Sequence, residues 1–311
     1  MRVSTQMYPQ GLLSQLGKLT DRQQKLQQQV ATGVRVQSVS DDPAAARKMM
    51  GWQQDLTSVE QYRKNLVSQQ DLAKANHNLV GSLNTIMTRV NELAFKSNGI
   101  ESKETLGYYS EEINGLIERA ADTVNSRFNG EYLLSGSVTQ TPPFEFERDE
   151  KGKIIGATFR GNQFVRQTEI AEGRSVSAQW VGANDGTGDQ PGLMTDAELD
   201  IDFFRDLVTL RDQLAAGNTE AIHEQTLEKL GQLEDHLLHF TNANGAMQTR
   251  LQTSETLLRD QEEALSGMLS REGDADMAET IVRLNEIQYA YQAALQSGAK
   301  IMGSSLMNYL R

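Results

Sequence analysis

Residues 277–309 read MAETIVRLNEIQYAYQAALQSGAKIMGSSLMNY. In this stretch Met277, Ile281, Leu284, Gln288, Tyr291, Leu295, Gly298, Met302, Ser305 and Tyr309 follow alternating steps of four and three, the stepping of a heptad seam along an α-helix. Near the other end Leu12, Leu16, Leu19, Leu26 and Val30 keep the same stepping once Gln23 is counted as a seam position. Amphipathic helices of this kind draw most of their stability from packing, so each requires a partner. Two arrangements meet that need: the helices fold back onto their own chain, or their seams are held ready for other subunits. Gln23, Gln288, Gly298 and Ser305 dilute the seams, which suits helices that order on assembly. On the second reading the subunit-packing set is Leu12, Leu16, Leu19, Leu26, Val30, Ile281, Leu284, Tyr291, Leu295, Met302 and Leu306.

Composition agrees with long exposed helices better than with one thick globule. Of 311 residues, 38% are hydrophobic and 6% aromatic. A net charge of -12 argues against nucleic acid as a partner, because phosphate backbones are bound by clustered Lys and Arg. The chain has no cysteine, which excludes disulfides, thiolate zinc sites and a Cys nucleophile. Met1 to Val30 contains no apolar signal core, and no apolar run approaches a membrane span. That pattern reads as cytoplasmic and non-membrane, except for substrates of export machines that use no cleaved signal.

Between the ends, Leu79, Leu83, Ile86, Val90 and Leu93 form a helical stripe, and Leu106, Tyr109, Ile113, Leu116 and Ala120 form another after the Ser97-Asn98-Gly99 break. Leu227, Leu230, Leu233, Leu237 and Phe240 make a third, continued by Leu251, Leu257, Leu258, Leu265 and Leu269. An antiparallel bundle is expected. The texture changes near Gly130 to Gly136, after which 144–146, 154–159, 164–170 and 176–181 read as short strands and 182–192 as a loop. The expected fold is therefore mainly α with a small β insertion: a discontinuous helical bundle with paired terminal coiled-coil helices. Its expected domains are 1–42 plus 272–311 (terminal helices), 43–135 plus 200–271 (bundle) and 136–199 (β-rich insertion).

Few residues suggest chemistry. Glu220 and His223 form a single Glu-x-x-His pair, a unit that di-iron carboxylate bundles use twice, and His236 and His239 share a helix face. A metal site would require all of these to converge, and exposed histidines on a Glu-rich helix are commonly plain surface residues. Asp185-Gly186-Thr187-Gly188-Asp189 lacks the order and the distant Glu of a calcium loop. Ser40-Asp41-Asp42-Pro43 reads as a helix start, with a capping residue, acids beside the N-terminal dipole and Pro in the first turn. No catalytic residue, cofactor or metal is expected.

Gly33-x-Arg35 and Ser40-Asp41-Asp42-Pro43-Ala44 resemble the N-terminal region of the flagellin superfamily. Further matches follow in the superfamily's order. Arg89-Val90-Asn91-Glu92-Leu93-Ala94 with Ser97-Asn98-Gly99 resembles its Arg-Val-x-Glu-Leu-Ala helix and turn, with Phe95-Lys96 replacing a small and polar pair. Asn125, Arg127, Gly130 and Tyr132 to Gly136 resemble its Asn-x-x-Phe-x-Gly-x-x-Leu-Phe-Ser-Gly segment, and Gly245-Ala246-x-Gln248-x-Arg250-Leu251 its Gly-Ala-x-Gln-Asn-Arg-Leu motif, with Thr249 in place of Asn. Asp274, Asp276, Ala278 and Glu279 open a C-terminal helix of the matching kind. The β insertion carries no motif. The segments Met1 to Met7 and Ser305 to Leu310 are similar to those of the superfamily's hook–filament adaptors, whereas filament flagellin usually begins with a Val-Ile-Asn-Thr-Asn pattern.

The resemblance implies a non-enzymatic adaptor joining hook to filament, with a minor flagellin that builds the filament itself as the alternative. It implies terminal helices paired in an inner axial domain and an insertion that projects outward. It also implies export to the extracellular flagellum without a cleaved signal, and as partners hook-associated protein 1, flagellin, copies of the chain in a ring, and an export chaperone on the C-terminal helix.

Overall fold

The computed structural model describes residues 7–97, 101–188 and 190–309, with side chains at 10–97, 101–188 and 190–300. The Asn98-Gly99 turn, Asp189 and the side chains of Met302, Leu306 and both terminal motifs lie outside the described residues. The chain divides into two compact units, residues 1–58 with 260–311 and residues 59–259.

The first unit contains α1 (Met7–Thr32) and α7 (Met277–Tyr309), which pack along each other, together with the start of α2 (Pro43–Lys96) and the end of α6 (Leu227–Gly273). Its division from the second unit falls within α2 and α6, further into each helix than the expected boundaries at 42/43 and 271/272.

Among the described residues the second unit combines the rest of α2 and α6 with α3 (Lys103–Val124), α4 (Phe203–Ala216), the short α5 (Thr219–Ala221), a π-helical turn (Ile222–Thr226) and nine short strands. The strands are β1 (Arg127–Phe128), β2 (Glu131–Tyr132), β3 (Phe144–Arg148), β4 (Ile154–Phe159), β5 (Thr168–Ala171), β6 (Arg174–Val176), β7 (Val181–Asn184), β8 (Gly192–Asp196) and β9 (Ile201–Asp202). The pairs β1–β2, β3–β4 and β5–β6 are antiparallel hairpins, while β7, β8 and β9 form one sheet in which β7–β8 is parallel. In the first hairpin Asn129 and Gly130 both take positive φ (51° and 84°), the two-residue turn whose twist matches paired strands.

The insertion was expected as a domain of its own, but its apolar residues join the helical core. Phe144, Ile154, Leu193 and Met194 are buried in one cluster with Leu83, Ile113, Phe204 and Leu237. Too few residues lie in these short hairpins to close a separate core. Arg211, almost fully buried on α4, donates to the Ile154 carbonyl (2.6 Å) and to Asn114 Oδ1 (3.2 Å), tying β4 to α3 and α4. Asn125, at the end of α3, bonds both backbone groups of Phe144.

Two strand expectations need correction. Within the runs 164–170 and 176–181 only 168–170, Val176 and Val181 are strand, belonging to β5, β6 and β7, with 177–180 irregular. The expected 182–192 loop instead contains most of β7, and β8 begins at its end. Gly182 is required by packing rather than by a turn. A Cβ there would stand 2.8 Å from ring carbons of both Phe144 and Phe159.

Candidate assembly interface

The turn between α1 and α2 and the turn between α6 and α7 clasp each other, and this clasp sets how α1 meets α7. Gly33 ends α1 with φ +71°, the left-handed conformation that glycine adopts without strain, and its N–H returns to the Gln29 carbonyl. Val34 and Asp274 form an antiparallel bridge, flanked by Arg35 N–H to Gly273 O (2.6 Å) and Ala275 N–H to Gly33 O (2.8 Å). The Arg35 guanidinium donates to the Glu272 carbonyl (2.7 Å) and to Asp42 Oδ2 (3.2 Å). Gly273 lets the end of α6 sit against the start of α2, since a Cβ would lie 2.6 Å from the Met49 methyl.

Asp42 caps α2, accepting from the Ala45 N–H (3.0 Å) just ahead of Pro43. Asp41 accepts from the backbone N–H of Ser38 and Gln37 and pairs with Lys25 of α1 (2.7 Å). The Ser40 hydroxyl meets that of Ser38. The Lys25 contact, then the Ser38 N–H, hold the Asp41 carboxyl far below its ordinary value, and the Ala45 N–H followed by Arg35 lowers that of Asp42. The motif residues at 33–43 thus form a hydrogen-bonded corner.

Beyond the corner, the half-buried positions of α1 are Leu12, Leu16, Leu19, Thr20, Gln23, Leu26, Gln29 and Val30. On α7 the positions of lowest exposure are Thr280, Leu284, Ile287, Gln288, Tyr291, Ala294 and Gly298. Without Gln288 these again step by four and three, but in a register one residue from that expected at two places. Thr280 and Ala294 stand inside, where Ile281 and Leu295 were expected, while Ile287 joins the expected Gln288 on the packed face. A small residue lets the helices approach: at Gly298 a Cβ would collide with the Leu12 side chain. Ile281 and Leu295 are displaced to the flank, each 45% exposed, and together with Met277, Val282 and Tyr289 they leave apolar surface on α7.

The remaining motif residues lie in the second unit. Arg89 bridges Glu112 of α3 (2.6 Å) and Glu92 (2.7 Å), while Leu93 is buried beneath. Gly130 belongs to the β1–β2 turn. Gly136, at φ +68°, lies against Asn162 with no room for a side chain. Gln248 reaches the Ala73 carbonyl at 3.4 Å beside the better bond from Asn244 (3.1 Å), and Arg250 is exposed. The histidine group does not converge. His223, His239 and Glu220 are exposed, whereas His236 is buried with its Nε2–H on the Gly192 carbonyl (2.8 Å). Among the described residues no group of three metal-ligating side chains forms, and no described helix is long and apolar enough to cross a membrane. Sequence reasoning passed over α4 altogether, although Phe203, Phe204, Leu207, Leu210 and Leu214 carry its helical spacing.

Residues 3–139 match the family described as the bacterial flagellin N-terminal helical region. The chain is 25% identical to the flagellar hook-associated protein 3 of Escherichia coli over 98% of both chains, and 22% identical to that of Salmonella typhimurium over all of both. The flagellar junction protein of Legionella pneumophila superposes with a TM-score of 0.59 at 13% identity, over 73% of this chain and 100% of that one, a likeness of fold. The chain is therefore similar along its whole length to hook-associated protein 3 and over residues 3–139 to the flagellin N-terminal region, relatives that are structural components of the bacterial flagellum rather than enzymes.

Proposed function

We propose that the protein is the adaptor joining the hook region to the flagellin filament, and that it assembles through α1 and α7. The observation that carries this is the flank of α7, where Ile281 and Leu295 remain half exposed beside a helix pair already closed by smaller residues. Its full-length likeness to hook-associated protein 3 supports the adaptor role over a filament subunit. On this reading residues 1–42 with 272–311 form the inner axial part, 43–135 with 200–271 the bundle, and 136–199 faces outward. Hook-associated protein 1 and flagellin are its neighbours, further copies complete a ring, and an export chaperone holds the C-terminal helix until the chain is exported, without a cleaved signal, to the extracellular flagellum.

A charge placed on the α7 flank tests this. Covering one aliphatic side chain at an interface contributes about 1.5 to 3 kcal/mol, and an unpaired carboxylate there reverses the sign. Ile281→Asp and Leu295→Asp are expected to leave the purified chain folded by circular dichroism while cells carrying either variant lose their filaments. Normal filaments in both strains would refute the proposal.

A further inference from the structure

We propose that the cavity between α4, the π-helical turn and the first turns of α6 is a socket for one basic side chain, lysine or arginine, of a neighbouring flagellar protein. The identity of that neighbour rests on the flagellar reading above; the socket itself does not. The cavity has a volume of about 440 Å³ and lies wholly within the 59–259 unit. On α4, Asp206, Thr209 and Gln213 line one face at helical spacing, and Glu224 of the π-helical turn and Glu228 of α6 complete the wall.

Asp206 is 7% exposed, and its carboxylate is only half used. Oδ1 accepts from Arg205 Nε at 3.1 Å, while Oδ2 has no hydrogen-bond partner among the described residues. A buried carboxylate oxygen without a donor is costly, and structures rarely leave one so without a reason. The lysine on the same wall, Lys229, does not supply the donor, because it is paired with Asp200 at 2.7 Å. Burial pushes the Asp206 carboxyl up, so the vacant wall stores a cost that an incoming cation relieves.

Two further observations narrow the ligand. No group of three metal-ligating side chains converges among the described residues, which favours an organic cation over a metal ion. Residues 59–259 hold 30 of the chain's 42 acidic residues but only 19 of its 30 basic ones, so nearly the whole charge of -12 lies in this unit. A second copy brings the same excess to any face of this unit, and the complementary partner is a basic one. The adjoining π-helical turn interrupts the helix at Ile222–Thr226, a distortion frequent where helices build sites.

The test uses the full chain, titrated with n-butylammonium and with Nα-acetylarginine amide, with neutral n-butanol as the control. The backbone amide resonances of Thr209, Gln213 and Thr226 are followed. Saturable shifts with at least one cation and none with butanol are expected, and Asp206→Asn should weaken binding about tenfold, the loss of one hydrogen bond to a charged group. Asp206→Asn removes a buried charge and keeps the shape, so it is expected to fold. No shift, equal shifts with butanol, or unchanged binding in Asp206→Asn would overturn the socket. In intact flagella a photoreactive residue at Gln232 is expected to cross-link to another polypeptide next to a Lys or Arg. Adducts confined to the chain itself would overturn the protein origin of the ligand. If the protein proves absent from flagella, the flagellar reading fails while the titration still decides the socket.

Discussion

His236 shows how a residue that suggested chemistry in the sequence serves the fold instead. Its partner is a carbonyl, an acceptor only, so Nε2 carries the proton and donates it. Burial outweighs the Gly192 hydrogen bond and lowers the ring below its ordinary 6.5. Above that value the folded and unfolded chains both hold the ring neutral, and the burial is without penalty. As pH falls through 6.5 toward the lower folded value, the unfolded chain takes up a proton that the folded chain resists, and stability is lost. The urea midpoint of the 59–259 unit is expected to drop between about pH 7 and about pH 5, by at most about 1.4 kcal/mol per pH unit from this group. His236→Gln should flatten that dependence, and an unchanged slope would show that the ring titrates freely. Spacing alone placed His236 beside His239 on one helix face; only the burial of one and exposure of the other separates their roles. The same limit applies to Gly182, whose residue type suggested a loop and whose neighbours, the Phe144 and Phe159 rings, come from distant sequence.

For the helices, much of the fold was legible. The stripes at 79–93, 106–120 and 227–240 coincide with buried faces of α2, α3 and α6, because long apolar repeats have one low-energy way to face a core. The β3–β4 hairpin was legible from its alternation and its Asp149 to Gly152 turn. What hydropathy misplaced was the phase of α7. Thr280 and Ala294 are small or polar yet lie on the packed face, while the larger Ile281 and Leu295 lie beside it. Small residues at a close helix approach leave little hydrophobic signal, so the apolar repeat pointed one position away. This register gives a prediction that separates intramolecular packing from assembly. Leu284→Asp, on the packed face, is expected to loosen α1 from α7 by about 2 kcal/mol and to raise amide exchange in both helices of the isolated chain. Ile281→Asp should leave that exchange unchanged. Equal effects from the two variants would mean that α7 has no preferred face toward α1.

Taken whole, the chain separates two tasks. The 1–58 and 260–311 unit carries about as many basic as acidic residues and holds a helix pair pinned at one end by Gly33, Arg35, Asp41, Asp42 and Gly273, while the 59–259 unit holds nearly all the net charge and the main core. Ordered motifs in the sequence already pointed to the likeness to hook-associated protein 3 and the flagellin N-terminal region. The division between units was not legible, because α2 and α6 each continue through it without a break in helical pattern. The adaptor role predicts one location. Protein labelled with gold at an exposed residue of the insertion, viewed by electron microscopy in intact flagella, should give a single band at the hook–filament boundary of each flagellum. Label distributed along the filament, or absent from the flagellum, would contradict it.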